Sequence, residues 1–221
     1  MPTSPGASHG SFRPAPMTTP DLLRRFGLFV VENLLDAREC RRLCGAMRRG
    51  AAGEATVFKT VDYVYDENVR RTKTARVTDE ERLLVASRLH AIMPDAARHF
   101  GLQLVDTEEP QFLIYRPGDF FRPHRDRGPD DVAAPAHTRR RAVSLVLMLN
   151  DQSAEPRPDA YGGGSLVLYG LGPKNKDARL AHIGFPVRGA AGLLVAFDSE
   201  FLHEVTPVAH GERFTVVSWF N

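Results

Sequence analysis

The chain has 221 residues, 43% of them hydrophobic, enough to bury a core and too many for a wholly disordered segment. Lys and Arg total 29 against 27 Asp and Glu, leaving a formal charge of +2, so the strong positive field of a dedicated nucleic-acid binder is absent. Within that balance Arg outnumbers Lys 25 to 4, which reads as compositional background for most positions.

Residues 1–18, rich in Pro, Ser, Gly and Thr, read as a flexible leader, and 19–221 as one domain. Leu28–Val31 is a short apolar strand. Asp36 is placed to cap a helix running to about Met47, where Cys40 and Cys44 share one face as small packing residues. Leu83 to Phe100 has helical periodicity, with Pro94 expected to bend or interrupt it. Helical support is thus expected over about 36–100. From about 110 the texture changes to short β-rich runs separated by Gly and Pro: Gln111–Tyr115, Ala142–Asn150, Ser165–Tyr169, Leu193–Phe197 and Phe214–Phe220. Such spacing predicts a β-barrel or jelly roll with helices packed outside, an α+β chain. Loops are expected at Arg127–Arg141 and Asp151–Gly164, and a hairpin excursion at Gly170–Arg188. No apolar run is long enough to span a membrane and no secretory signal is visible, so a cytoplasmic setting is the expectation.

His124-Arg125-Asp126 is the sharpest local feature. On a strand, residues i and i+2 project to one face, so an imidazole and a carboxylate can converge on one ion. His-x-Asp alone is commonplace. His203, just after the apolar strand Leu193–Phe197, supplies a second imidazole. Two histidines and a carboxylate on a β scaffold form the facial triad of non-haem Fe(II) oxygenases, with coordination positions left open. On the last strand, alternation places Arg213, Thr215, Val217 and Trp219 on one face. Taken alone, an inward Arg213 reads first as half of an internal salt bridge. Beside a metal site it invites a dicarboxylate, held by a charge-assisted bidentate bond.

These motifs together resemble the 2-oxoglutarate/Fe(II)-dependent dioxygenases, specifically the prolyl 4-hydroxylase-like branch. The resemblance rests on Tyr115-Arg-Pro-Gly118, His124-x-Asp126, Leu149-Asn150, Gly163-Gly164 and His203-Glu-Val-x-Pro-Val...Gly-x-Arg213, and covers about residues 26–221. It implies a double-stranded β-helix (jelly-roll) core over about 110–221, with the helices packed outside. It implies iron held by His124, Asp126 and His203, and 2-oxoglutarate with its C5 carboxylate on Arg213, supported by Thr215, Tyr115 and Ser144. O₂ is the co-oxidant and ascorbate the reductant. The implied reaction decarboxylates 2-oxoglutarate to succinate and CO₂ and hydroxylates an unactivated C–H, in a prolyl or similar residue of a protein or peptide. A free amino acid or natural product is the alternative target, and a silent 2-oxoglutarate-binding module the alternative role. Asp126 favours hydroxylation over halogenation, because the family's halogenases carry a small residue there. Arg141 and Arg122 are the expected substrate contacts. Two departures stand out: Met148 replaces a Tyr that many relatives direct at the C5 carboxylate, and Gly-Gly-Glu-Thr becomes Gly163-Gly164-Ser165-Leu166. Among the other histidines, His90, His99, His137, His182 and His210 read as surface or packing residues.

Overall fold

A computed structural model describes residues 19–50, 66–128, 136–171 and 183–221, together with the backbone of three short strands between 52 and 64. The expected leader, the middle of the 127–141 loop and the tip of the 170–188 excursion lie outside the described residues.

In chain order the helices are α1 (Thr19–Arg25), α2 (Ala37–Arg49), α3 (Asp79–Phe100) and α4 (Ala136–Arg140). The first strands are β1 (Phe29–Val31), β2 (Ala52–Glu54), β3 (Val57–Lys59), β4 (Asp62–Val64), β5 (Arg70–Arg71), β6 (Lys73–Ala75), β7 (Gln111–Tyr115) and β8 (Phe120–His124). The rest are β9 (Val143–Met148), β10 (Gly162–Gly163), β11 (Leu166–Tyr169), β12 (Gly184–Val187), β13 (Leu194–Asp198), β14 (His203–Val205), β15 (Val208–His210) and β16 (Arg213–Phe220).

Among the described residues, a seven-stranded sheet has the order β1-β13-β9-β16-β7-β6-β2, and a five-stranded sheet the order β12-β11-β14-β8-β5. Small ladders pair β10 with β15 and β3 with β4. The large sheet is covered on both faces: β13 is apolar almost throughout, β9 carries one polar residue, Ser144, and β16 alternates polar with apolar residues over much of its length. One face of that sheet, with Leu145, Leu147, Phe214, Val216 and Phe220, packs against Leu43 and Met47 of α2 and Val85 and Leu89 of α3. From the other face Val146, Met148, Val195 and Phe197 meet Leu166 and Leu168 of the smaller sheet. A smaller cluster of Leu113, Tyr115, Val205 and Val208 closes the inter-sheet layer beside the site. The two sheets and the outer helices form a jelly roll of the expected kind.

Helix α2 begins at Asp36, whose carboxylate accepts from the amides of Arg38 and Glu39, while Glu39 returns a bond to the Asp36 amide. Helix α3 starts earlier than its apolar periodicity indicates. Thr78 and Glu81 form a second capping box, so the first turn is acidic, and Leu83 is 67% exposed rather than part of the core. Pro94 lies inside α3 without interrupting it. It sits on the exposed side, where water can satisfy the His90 carbonyl that loses its partner. The region expected to be helical support is not wholly helical: β6 extends the large sheet from β7, and β5 extends the small sheet from β8. At the far end of the expected 170–188 excursion, β12 pairs antiparallel with β11, from Leu166↔Val187 to Tyr169↔Gly184. No helix among the described residues is long and apolar enough to cross a membrane.

Candidate metal centre

Strand pairing assembles the site. β8 and β14 are antiparallel with His124 opposite His203, which brings the two rings to 4.2 Å between centroids. Asp126 lies just past the end of β8, so strand alternation does not orient it. The turn after β13 does, because the Ser199 carbonyl accepts from the amides of both Asp126 and Arg127 at 3.0 Å. His124, Asp126 and His203 form one cluster, with their ligand atoms all within 4.8 Å of one another. Each Nε2 faces a different carboxylate oxygen at 3.5 Å: His124 toward Oδ1, His203 toward Oδ2.

The donor set fits a divalent ion. His124 Nδ1 lies 2.8 Å from the Arg122 carbonyl and His203 Nδ1 2.9 Å from that of Phe201. A carbonyl only accepts, so Nδ1 carries the proton in both rings and the Nε2 lone pairs point into the cluster. Phe121 stacks on His124 at 3.5 Å, and Phe197 meets the His203 ring edge-on at 4.9 Å. Burial pushes the His203 imidazole down to about 4, with His124 beside it acting in the same direction, so the ring is neutral as a ligand must be. Burial opposes ionisation of Asp126, but its polar surroundings, with the Ser144 hydroxyl donating to Oδ2, hold its carboxyl well below the usual carboxylate range.

The three residues line a cavity of about 570 Å³ between the sheets. Arg213 lines it too, and is 1% exposed. Its Nε and Nη1 have no hydrogen-bond partner, and it makes no ion pair with the described residues. A buried unpaired guanidinium costs several kcal/mol, roughly, which argues for an anion as its partner. The internal salt bridge that an inward Arg first brings to mind is not there. Its guanidinium carbon lies 5.0 Å from the centre of the Tyr115 ring. Gly164, at φ 55°, lets the side chain pass: a Cβ there would lie 3.2 Å from Arg213 Cδ and 2.8 Å from Val208 Cγ2.

Other expected contacts are placed differently. Thr215 lines the cavity, but its hydroxyl donates to the Leu147 carbonyl at 2.9 Å. Ser144, expected in the cosubstrate pocket, sits behind the carboxylate instead and donates to Asp126 Oδ2 at 2.7 Å. Arg141 reaches the cavity with its guanidinium bidentate on Glu108 (2.8 and 2.7 Å) and 3.5 Å above the Trp219 ring. Arg122 does not reach it. Its Nε donates to the Asn68 carbonyl at 3.3 Å and its guanidinium covers Phe120; the β8–β14 register shifts between Phe121 and His124, which both line the cavity, so simple alternation does not bring Arg122 inward with His124.

Sequence reasoning missed Tyr161, which is fully buried beside Arg213; burial pushes its phenol up, and the guanidinium opposes this. It also missed Glu108, whose pairing with Arg141 spans two distant segments. Neither carries a local signal: Tyr161 stands at the edge of a glycine run and Glu108 just before β7.

The 2OG-Fe(II) oxygenase superfamily model matches residues 110–221, half of the chain, and a phytanoyl-CoA dioxygenase model matches residues 23–156. A PKHD-type hydroxylase of Maricaulis maris is 33% identical over 105 residues, 48% of this chain and 38% of the relative, so the aligned part is less than half that hydroxylase's length. The crystal structure of a Pseudomonas putida prolyl-4-hydroxylase superposes with a TM-score of 0.65 at 26% identity, covering 92% of this chain and 98% of that one. A Trichoplax adhaerens prolyl hydroxylase, in complex with a hypoxia inducible factor peptide fragment, shares the fold with a TM-score of 0.67 at 18% identity, covering 91% and 86%. With the jelly roll, the His-Asp-His cluster and these matches together, the chain belongs to the 2OG-Fe(II) oxygenase superfamily, in its prolyl 4-hydroxylase-like branch.

Proposed function

We propose that the protein is an Fe(II)- and 2-oxoglutarate-dependent hydroxylase acting on a prolyl or similar residue of a peptide or protein. The observation that carries this reading is Arg213: a buried cation with no carboxylate partner among the described residues, opening on the same cavity as two imidazoles and a carboxylate. His124 and His203 would hold iron through Nε2, with Asp126 as the third ligand. Arg213 would take the far carboxylate of 2-oxoglutarate, with Tyr115 against the guanidinium and Thr215 forming wall rather than donor, since its proton is committed to Leu147. Bound iron with 2-oxoglutarate supplies O₂ activation, coupled to loss of CO₂, formation of succinate and hydroxylation of a C–H bond. The chain's part is to aim the Nε2 atoms of both imidazoles at the metal, keep His203 neutral and Asp126 ionised, and wall the reaction off from water with Leu113, Val146, Leu166 and Val205.

A peptide fits better than a free acid at the mouth. Arg141, the expected grip for a substrate carboxylate, already has its charge paired by Glu108 through Nε and Nη2, with both side chains largely buried, so it attracts a second, free carboxylate less than an unpaired Arg would. The resemblance to prolyl hydroxylases supports the same choice.

The test incubates the full chain with Fe(II), 2-oxoglutarate, ascorbate and O₂ against proline-containing peptides and free amino acids together. Succinate should form, a peptide should gain the mass of one oxygen, and His203→Ala should do neither. Oxygen gained only by free amino acids would overturn the peptide target. Metal binding without succinate from any substrate would make the chain a 2-oxoglutarate-binding module instead.

A further inference from the structure

The fold treats the two oxygens of Asp126 differently. Both face an imidazole at 3.5 Å, but a hydroxyl, Ser144 Oγ, engages Oδ2 alone, at 2.7 Å. Ser144 Oγ also lies 2.9 Å from Ser199 Oγ. An ionised carboxylate can only accept, and a serine has one hydrogen to give. The Ser144 hydrogen is therefore committed to Asp126, and the Ser144–Ser199 bond has one permitted direction: Ser199 donates to Ser144, which donates to Asp126. The same Ser199 holds the backbone of that loop, its carbonyl accepting from the Asp126 and Arg127 amides. Its own amide donates to the Ala142 carbonyl at 3.1 Å, which ties the turn to the start of β9.

Both serines are buried, Ser144 at 1% and Ser199 at 0% exposure, so solvent does not compete for these bonds. Two buried serines on neighbouring strands could satisfy each other and end there. Here the chain of hydroxyls ends instead on a ligand oxygen. Ser144 stands opposite Phe197 in the β9–β13 ladder, and Phe197 itself packs edge-on against His203, so one local register supports two of the three ligands.

Resting on the reading of this cluster as a metal centre, we propose that Ser199 and Ser144 form a hydroxyl relay that positions Asp126 for the metal. It holds the carboxylate in one orientation before the metal arrives and leaves Oδ1 as the oxygen without a hydroxyl donor. Ser144 is then a positioning residue of the metal centre rather than a cosubstrate contact. Outer partners that orient a ligand in this way typically alter metal affinity by about 10–100-fold.

The test titrates Co(II), followed by its visible absorption, into the metal-free full chain. Ser144→Ala should weaken Co(II) binding by roughly 10–100-fold and change the spectrum, with the KM for 2-oxoglutarate at saturating metal unchanged. Ser199→Ala should show a smaller loss in the same direction, because it acts through Ser144. Ser144→Thr, which keeps the hydroxyl and suits a strand, should restore most of the affinity. Equal Co(II) affinity for wild type, Ser144→Ala and Ser199→Ala would overturn the relay. So would a raised KM for 2-oxoglutarate in Ser144→Ala with metal affinity intact, which would return Ser144 to the cosubstrate pocket. Should Ser144→Ala fail to fold, the Ser199→Ala and Ser144→Thr pair decides the matter alone. If wild type and His203→Ala bind Co(II) equally, it is the metal centre itself that fails, a result distinct from failure of the relay.

Discussion

Strands β9 and β16 carry different chemistry on their two faces. Toward the helices they present Val143, Leu145, Leu147, Phe214, Val216 and Phe220, all within the main core and each 2% exposed or less. Toward the smaller sheet the same strands present Ser144, Arg213, Thr215 and Trp219, equally hidden from water but polar. The one polar side chain these two strands place on the outer face, Ser218, is satisfied, its hydroxyl donating to the Glu108 carbonyl at 2.6 Å. On the inner face Arg213 Nε and Nη1 and Trp219 Nε1 are buried without partners. Both faces bury apolar residues, Val146 and Met148 among them on the inner side, but the inner face also keeps groups that water would otherwise solvate, at a cost in stability that a ligand can offset. The contrast is made within single strands because successive residues point to opposite sides.

Adjacent residues of β16 test that contrast, with opposite signs. Phe214→Ala empties a core position between the sheet and α2, where Arg48 also lies 4.8 Å from the ring centre. It should destabilise the protein by about 3–5 kcal/mol, read from the urea midpoint at constant slope. Arg213→Met, one residue away, removes an unpaired buried charge. The unliganded protein should be as stable as wild type or more so, while the KM for 2-oxoglutarate rises about 10–100-fold, as expected for a lost charge-assisted pair of about 1.5–3 kcal/mol. A stability loss in Arg213→Met as large as in Phe214→Ala would mean that the two faces do the same job. An unchanged KM would mean that another group holds the carboxylate.

The inward set on β16 was legible because alternation is a local property: Arg213, Thr215, Val217 and Trp219 all line the cavity. So were the Asp36 cap and the long apolar strands. The pairing of His124 with His203 follows from β8–β14 register, which a pattern of residues does not fix; there, the motifs carried the assignment. Asp126 falls outside the strand whose alternation was to orient it, and is held by backbone bonds to Ser199 that no side-chain pattern encodes. The misplacements share this cause. Ser144 faces inward as alternation predicts, but the neighbours it meets there, Asp126 and Ser199, come from distant segments that its own pattern does not fix. Arg122 and Arg141 look alike in sequence, and long-range partners separate them, Asn68 for one and Glu108 for the other. Strands β5 and β6 were missed because two- and three-residue strands have almost no periodicity to read.

The smallest expected effect lies on the helix side, in the two cysteines of α2. Both thiols are buried and free, and Cys44 Sγ lies 3.6 Å from the Leu149 carbonyl. Burial pushes Cys40 up to about 11 and Cys44 up to about 12. At pH 8 neither should react with an alkylating reagent in the native protein, and both should react once it is unfolded, since the thiolate is the nucleophile. The linkage to stability has a fixed sign. A thiol whose value is raised on folding binds its proton more tightly in the native state. Its contribution is complete below the unfolded value near 9 and is lost as pH climbs toward 11–12. A Cys40→Ala/Cys44→Ala variant should therefore lose less stability than wild type between pH 8 and about pH 10.5, whatever other groups titrate in that range. Equal losses would show that the thiols are solvated on opening of α2. The outer face would then be looser than its packing indicates, and its contrast with the inner face correspondingly weaker.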